Sequence, residues 1–209
     1  MLSRTCGMYF LVLTIDGEKM IIDDEKRFVF ISVPKTGSTS IRRRLNSFPP
    51  DPPPEIYHMS IKNALAKYPR AKDYFKFAFV RNPYDRIFSA YINLKYDGHA
   101  WAVDLKKKTT FRQFVIDFKN SEYSNYIHLQ SQSSCVKIDN EIAIDFVGRF
   151  ENLQEDFKKV ENILNLEHKE LIKIRQSSKN VEPKIFDQEM RDIIYDIYSE
   201  DFESFGYER

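Results

Sequence analysis

Phe28-Val29-Phe30-Ile31-Ser32-Val33-Pro34-Lys35-Thr36-Gly37-Ser38-Thr39-Ser40 is the stretch that decides the fold. Residues 28–33 are aromatic and β-branched, then meet a proline and a Gly/Ser/Thr cluster. That pattern is a buried strand running into a tight turn. Residues 39–45 then read as a helix. Between a strand and a helix, the loop amides and the helix N-terminus converge into a concave set of donors. Gly37 permits a left-handed backbone and close approach of an anion. Ser38, Thr39 and Ser40 add hydroxyls, and Lys35 adds a charge. A plain strand–helix turn uses the same hydroxyls as caps, but so dense a cluster favours a phosphate site. The loop is not of the G-x-x-x-x-G-K-[ST] type, which puts the lysine after the second glycine and a hydroxyl on Mg²⁺. Here Lys35 precedes Gly37 by two positions.

Working outward, residues 60–68 read as a helix capped by Ser60, with Ile61, Leu65 and Tyr68 on one face. Residues 75–80 (FKFAFV) form a second strand, closed by Arg81-Asn82-Pro83. Helices follow over 85–96, with Ile87, Tyr91 and Leu94 inward, and over 111–118. A third strand spans 142–147, and an amphipathic helix spans 152–164 with Leu153, Phe157, Val160 and Leu164 inward. A last helix covers 187–199 before a Phe202–Phe205–Tyr207 tail. The order predicts an α/β fold: a P-loop-like, three-layer α/β/α arrangement with a mostly parallel central sheet. The whole chain, 1–209, reads as one domain. Residues 1–27 are an N-terminal hairpin or extension, in which 9–15 and 20–22 pair through Asp16-Gly17. Pro49-Pro50-Asp51-Pro52-Pro53-Pro54 reads as a stiff loop.

The chain carries 32 Lys+Arg against 31 Asp+Glu, a formal charge of +1, so binding of nucleic acid by bulk charge is excluded and any anion site is local. Two cysteines, Cys6 and Cys135, neither build a disulfide framework nor show metal-ligand spacing. The longest apolar run, 8–13, falls far short of the ~20 residues that span a bilayer. No signal-peptide cleavage site is evident. The expected setting is the reducing cytoplasm, and the oligomeric state is not legible.

Arg81-Asn82-Pro83-Tyr84-Asp85-Arg86 stands at the C-terminal end of a predicted strand, the edge where open α/β sheets bind ligands. Ser89 follows eight residues after Arg81, on the next helix. Arg81 and Ser89 can meet on one phosphate, although an Arg81–Asp85 ion pair is an alternative role for the arginine. PKTGSTS, followed 46 residues after Lys35 by RNPYDRIFSAY, resembles the two nucleotide signatures of sulfotransferases that use 3′-phosphoadenosine-5′-phosphosulfate (PAPS). The nearest likeness is to the carbohydrate branch of chondroitin, dermatan and heparan sulfate 2-O-sulfotransferases. DFVGRFENLQEDF and the ending YSEDFESFGY also look like that branch. The resemblance implies that Lys35, Thr36, Gly37, Ser38, Thr39 and Ser40 hold the 5′-phosphosulfate, and that Arg81 and Ser89 hold the 3′-phosphate. Ile174-Arg175-Gln176-Ser177-Ser178-Lys179 resembles the family's later nucleotide loop, with Arg175, Ser178 and Lys179 as contacts; a solvated basic loop fits it too. Animal members carry a membrane anchor and a luminal stem, and this chain shows neither. A bacterial-type soluble member is therefore expected.

Such an enzyme moves SO₃ from PAPS to a hydroxyl or amine by in-line displacement, with catalysis by positioning and charge stabilisation. Lys35 is the natural donor to the leaving oxygen, and no metal is needed. A hydroxyl acceptor calls for a base. His58, 23 residues before Arg81, matches the place of the catalytic histidine in the heparan 2-O-type enzymes; a solvent-exposed helix-start histidine is the plain alternative. His128 is the reserve base or an acceptor contact, while His99 and His168 read as surface positions. Residues 97–140 are assigned to the acceptor site, with Trp101 as a stacking platform for a sugar or a loop anchor. Arg149 contacts nucleotide or acceptor, or pairs with Glu151 to fix a turn. Arg42-Arg43-Arg44 reads as a solvated helix face. The expected partner is a saccharide or small hydroxylated acceptor, with neither nucleic acid nor a membrane span. Two alternatives stand: a small-molecule kinase, for which Asp145 would be the strand-end metal ligand, and a non-catalytic nucleotide-binding module.

Overall fold

The computed structural model describes residues 21–45, 58–96, 109–118, 121–172 and 183–209. Strand β1 (Ile21–Asp23) turns back antiparallel onto β2 (Phe28–Ile31), pairing Ile21 with Phe30. Of the expected strand 20–22, Ile21 and Ile22 fall in β1, which pairs forward with β2; residue 20 and the expected partner 9–15 lie outside the described residues. After β2 come α1 (Ser38–Arg44), α2 (Ile61–Lys67) and β3 (Phe75–Val80). The side chain of Ser60 caps α2 by accepting from the Asn63 amide. Helix α3 (Pro83–Tyr96) starts at proline, whose missing N–H costs nothing in a first turn. It is followed by α4 (Phe111–Asp117), a short α5 (Ser133–Val136), a β4–β5 ribbon (Lys137–Ile138, Glu141–Ile142), β6 (Phe146–Arg149), α6 (Leu153–Ile163) and α7 (Gln188–Phe205).

The central sheet has the order β1-β2-β3-β6, with β2, β3 and β6 mutually parallel. Alternation along the strands feeds two layers. Phe28, Phe30, Phe77 and Phe79 face Ile41 of α1 and Phe157 and Val160 of α6. Val29, Ile31, Ala78 and Val80 face Ile61 and Ala64 of α2, with Val136 and Phe205. A third core, helical throughout, joins α3, α4 and α7 through Ile87, Tyr91, Leu94, Phe114, Ile194 and Phe202. The expected three-layer α/β/α fold is the one observed.

The third strand departs from expectation. Ile142 belongs to the β4–β5 ribbon, and the central strand begins only at Phe146. Asp145 breaks the run: its backbone N–H donates to the Lys76 carbonyl at 2.8 Å, and its carboxylate accepts the Lys76 N–H at 2.7 Å. Asp145 therefore sits at the N-terminal end of β6, on the sheet edge opposite the Lys35 loop. It cannot serve as a strand-end ligand for a bound nucleotide's metal. Gly148 in β6 is required by packing, since a Cβ there would lie 2.4 Å from the Phe79 ring.

Candidate active site

Parallel register brings three strand ends to one edge. Ile31 aligns with Ala78, and Val80 with Arg149, so the segments after β2, β3 and β6 emerge side by side. Lys35 and Gly37 both have left-handed backbones, φ 67° and 78°, on either side of Thr36. Alternation of this kind turns successive N–H groups into one concavity, the backbone nest that suits an anion. For a lysine this conformation is costly, and three features hold it. Thr36 is fully buried and its hydroxyl donates to the Val33 carbonyl at 2.9 Å, so that hydroxyl is committed to the turn. A Cβ on Gly37 would meet Leu153 Cδ2 at 2.8 Å, which leaves room for glycine only. The Lys35 carbonyl accepts from Arg81 Nη1 at 3.3 Å. Ser38 opens α1 and is buried, and Thr39 Oγ1 accepts from Arg42 Nη2 at 3.4 Å.

Arg81 follows β3 directly. Its guanidinium lies 4.2 Å over the Phe150 ring. Its Nε is buried without a hydrogen-bond partner, and no carboxylate lies within ion-pair distance among the described residues. Asp85, the alternative partner, is instead paired with Lys184 at 2.7 Å. Burial pulls the guanidinium below the ordinary arginine value, with Asp85 and Glu151 opposing from further away. A desolvated, unpaired cation with an orphaned donor is the electrostatic signature of an anion site. Next to it, Asn82 N–H donates to Glu151 Oε1 at 2.7 Å, and Tyr207 donates to Glu151 Oε2 at 3.0 Å. Ser89 is half-buried on α3, two turns from the helix start.

His58 enters from the far side of the loop. Its Nδ1 lies 2.5 Å from the Ser32 carbonyl. A carbonyl only accepts, so Nδ1 carries the proton and Nε2 the lone pair. Burial pulls this imidazole down to about 4; the Ser32 carbonyl opposes the shift, and the charges of Arg42 and Lys35 add to it. His128 meets His58 edge-on with ring centroids 5.1 Å apart, and its Nδ1 is 3.1 Å from Asn93 Oδ1. Both histidine candidates therefore share one site with the Lys35 loop.

A sequence profile of the sulfotransferase family matches residues 18–208. The chain belongs to the sulfotransferase family. No curated protein and no solved structure matches it. As a sulfotransferase, the chain places Lys35, Thr36, Gly37, Ser38, Thr39, Ser40, Arg81 and His58 along a single sheet edge. Arg149 also lies there, but its guanidinium donates to the Phe205 and Gly206 carbonyls at 2.6 and 3.3 Å and stacks on Tyr207 at 4.7 Å. Glu151 is not its partner. Trp101, Arg175, Ser178 and Lys179 lie outside the described residues. Among the described residues no group of three or more His, Cys, Asp or Glu is arranged to hold a metal ion, and no helix is long and apolar enough to cross a membrane.

Sequence reading missed three contributors. Gln132 and Asp201 support Arg81 from distant parts of the chain, and Phe150 floors its guanidinium. Gln132 stands outside the quoted motifs, and the family-like stretches that hold Phe150 and Asp201 do not say which of their residues face Arg81. Only their spatial meeting reveals them.

Proposed function

We propose that this sulfotransferase moves the sulfuryl group of PAPS to a hydroxyl of a saccharide or other small acceptor, as a cytoplasmic, bacterial-type member of the carbohydrate 2-O branch. The observation that carries the reading is Arg81: a half-buried guanidinium whose Nε is buried and orphaned, held against the Lys35 loop. Two anion-receptive features on one sheet edge suit a nucleotide with phosphates at two positions. The loop 35–40 takes the 5′-phosphosulfate, and Arg81 with Ser89 takes the 3′-phosphate. Arg175, Ser178 and Lys179 complete the nucleotide site. Residues 97–140, with Trp101 and His128, shape the acceptor site, and Arg149 stands at its border.

In the reaction His58 Nε2 takes the acceptor hydroxyl proton as the acceptor oxygen bonds to sulfur. The bond from sulfur to the bridging oxygen breaks, and that oxygen leaves with the electron pair on the 5′-phosphate. Lys35 and the loop amides stabilise the charge that builds there. The leaving group is a stable phosphate, so the step draws on no metal.

Calorimetric titration with adenosine 3′,5′-bisphosphate (PAP), beside ATP with Mg²⁺, tests this. The expected result is metal-independent PAP binding that Arg81→Ala weakens by ~2–4 kcal/mol, the range for charged hydrogen bonds at a buried site. Preference for ATP–Mg²⁺ with no response to PAP would overturn it.

A further inference from the structure

We infer that Gln132 is a positioning residue for Arg81, and through it sets how well the site distinguishes a nucleotide that bears a 3′-phosphate. The inference rests on the nucleotide reading above.

Gln132 is fully buried, and its carboxamide is spent on one residue. Oε1 accepts the Arg81 N–H at 2.8 Å, and Nε2 donates to the Arg81 carbonyl at 2.8 Å. A side-chain amide has the donor and acceptor of a peptide group, so this pairing imitates a strand neighbour. Strand β3 ends at Val80. Gln132 extends the ladder by one residue and holds Arg81 where the strand would otherwise release it.

Gln132 is itself fixed from behind. Its N–H donates to Asp201 Oδ2 at 2.9 Å, and the Ser133 N–H donates to Asp201 Oδ1 at 2.8 Å. Asp201 is fully buried, with Arg86 Nη2 at 3.8 Å to offset its charge. Arg86 also donates to the His128 and Gln130 carbonyls at 3.2 and 2.7 Å, which fixes the approach to Gln132. The chain of contacts therefore runs from α7 through Asp201 and Gln132 to the Arg81 backbone, and from the Arg81 guanidinium to the Lys35 carbonyl. An arginine fork has several rotatable bonds and reads a phosphate with geometric precision only when its Cα is held. Loss of the clasp releases the one part of Arg81 that the orphaned Nε cannot itself fix.

The test compares PAP with adenosine 5′-monophosphate, which lacks only the 3′-phosphate, by calorimetry alongside thermal melting. Wild type, Arg81→Ala, Gln132→Asn and Gln132→Met are measured. Gln132→Asn keeps the chemistry but draws the carboxamide back by one methylene, whereas Gln132→Met fills the space without polar atoms. The expected result is that both variants lose about tenfold of the preference for PAP, while monophosphate affinity stays within about twofold of wild type. A folded Gln132→Asn with a lowered Tm and an undiminished preference would overturn the inference and leave Gln132 a loop anchor. Should Gln132→Met fail to fold, Gln132→Asn decides alone. A wild type that does not prefer PAP, or an Arg81→Ala that keeps the preference, overturns the nucleotide reading itself and the inference with it.

Discussion

His58 shows how much one residue's surroundings change its chemistry. Free in water it would titrate near 6.5, but burial beside Arg42 and Lys35 brings it to about 4. The folded value lies below the unfolded one, so the unfolded chain takes up the proton first. The stability this neutral imidazole contributes is whole above 6.5 and is lost as the pH falls through about 4. The consequence for turnover has the same sign: with His58 as the proposed base, the imidazole is neutral down to about 4 in the free protein, and kcat/KM is expected to carry no acid limb near 6.5. Bound phosphates favour the imidazolium, so the limb in kcat moves to higher pH. Paired pH–rate profiles of wild type and His58→Gln check this, and a limb at 6.5 in kcat/KM would contradict it. Lys35, Gly37, Arg81 and His58 could be picked out from sequence because each carries an unusual chemistry in a telling place. Gln132 and Asp201 could not, because their role is made by partners about 50 to 70 residues away.

Between elements, α1 and α6 are locked through a buried charge. Arg42-Arg43-Arg44 reads as a solvated face, and Arg43 is indeed exposed. Arg44 instead turns inward to Glu161, at 2.8 Å, and bonds the Glu167 carbonyl. Glu161 is fully buried and also meets His168 Nδ1 at 3.1 Å. Removing the cation leaves a carboxylate in the core with a weaker partner. Arg44→Met should therefore destabilise the protein by ~2–3 kcal/mol in urea unfolding, since breaking one side of a buried pair costs more than the pair contributes. A loss within about 0.5 kcal/mol, the range of exposed pairs, would show that Glu161 is neutralised by other means. Most helices were legible because amphipathic spacing is local, but the last one continues past 199 to Phe205 and takes in part of the expected tail, and the four-residue α5 is too short to show a period. The strand expected over 142–147 begins only at Phe146, where the Asp145 side chain just before it takes the Lys76 N–H of the neighbouring strand.

For the molecule as a whole, three parallel strand ends converge on one edge, and a nucleotide there would tie α1, α3 and the C-terminal segment together. At ligand near 100 times Kd, PAP should add ~2.7 kcal/mol of stability and raise Tm by about 5–10 °C. EDTA should leave the shift unchanged. A shift that vanishes in EDTA would put a metal in the nucleotide's binding and favour kinase-type chemistry.

The α/β class, the strand–loop–helix segment around Lys35, the place of Arg81 at a strand end and the inward faces of the helices were all legible in the sequence. Each of these is written in neighbouring residues through backbone preference and hydrophobic period. Tertiary structure alone decided that Asp145 lies on the wrong edge, that Asp85 belongs to Lys184, that His58 and His128 meet, and that Gln132 holds Arg81. Those facts depend on strand register and on which distant groups are desolvated together, and neither quantity exists until the chain has closed on itself.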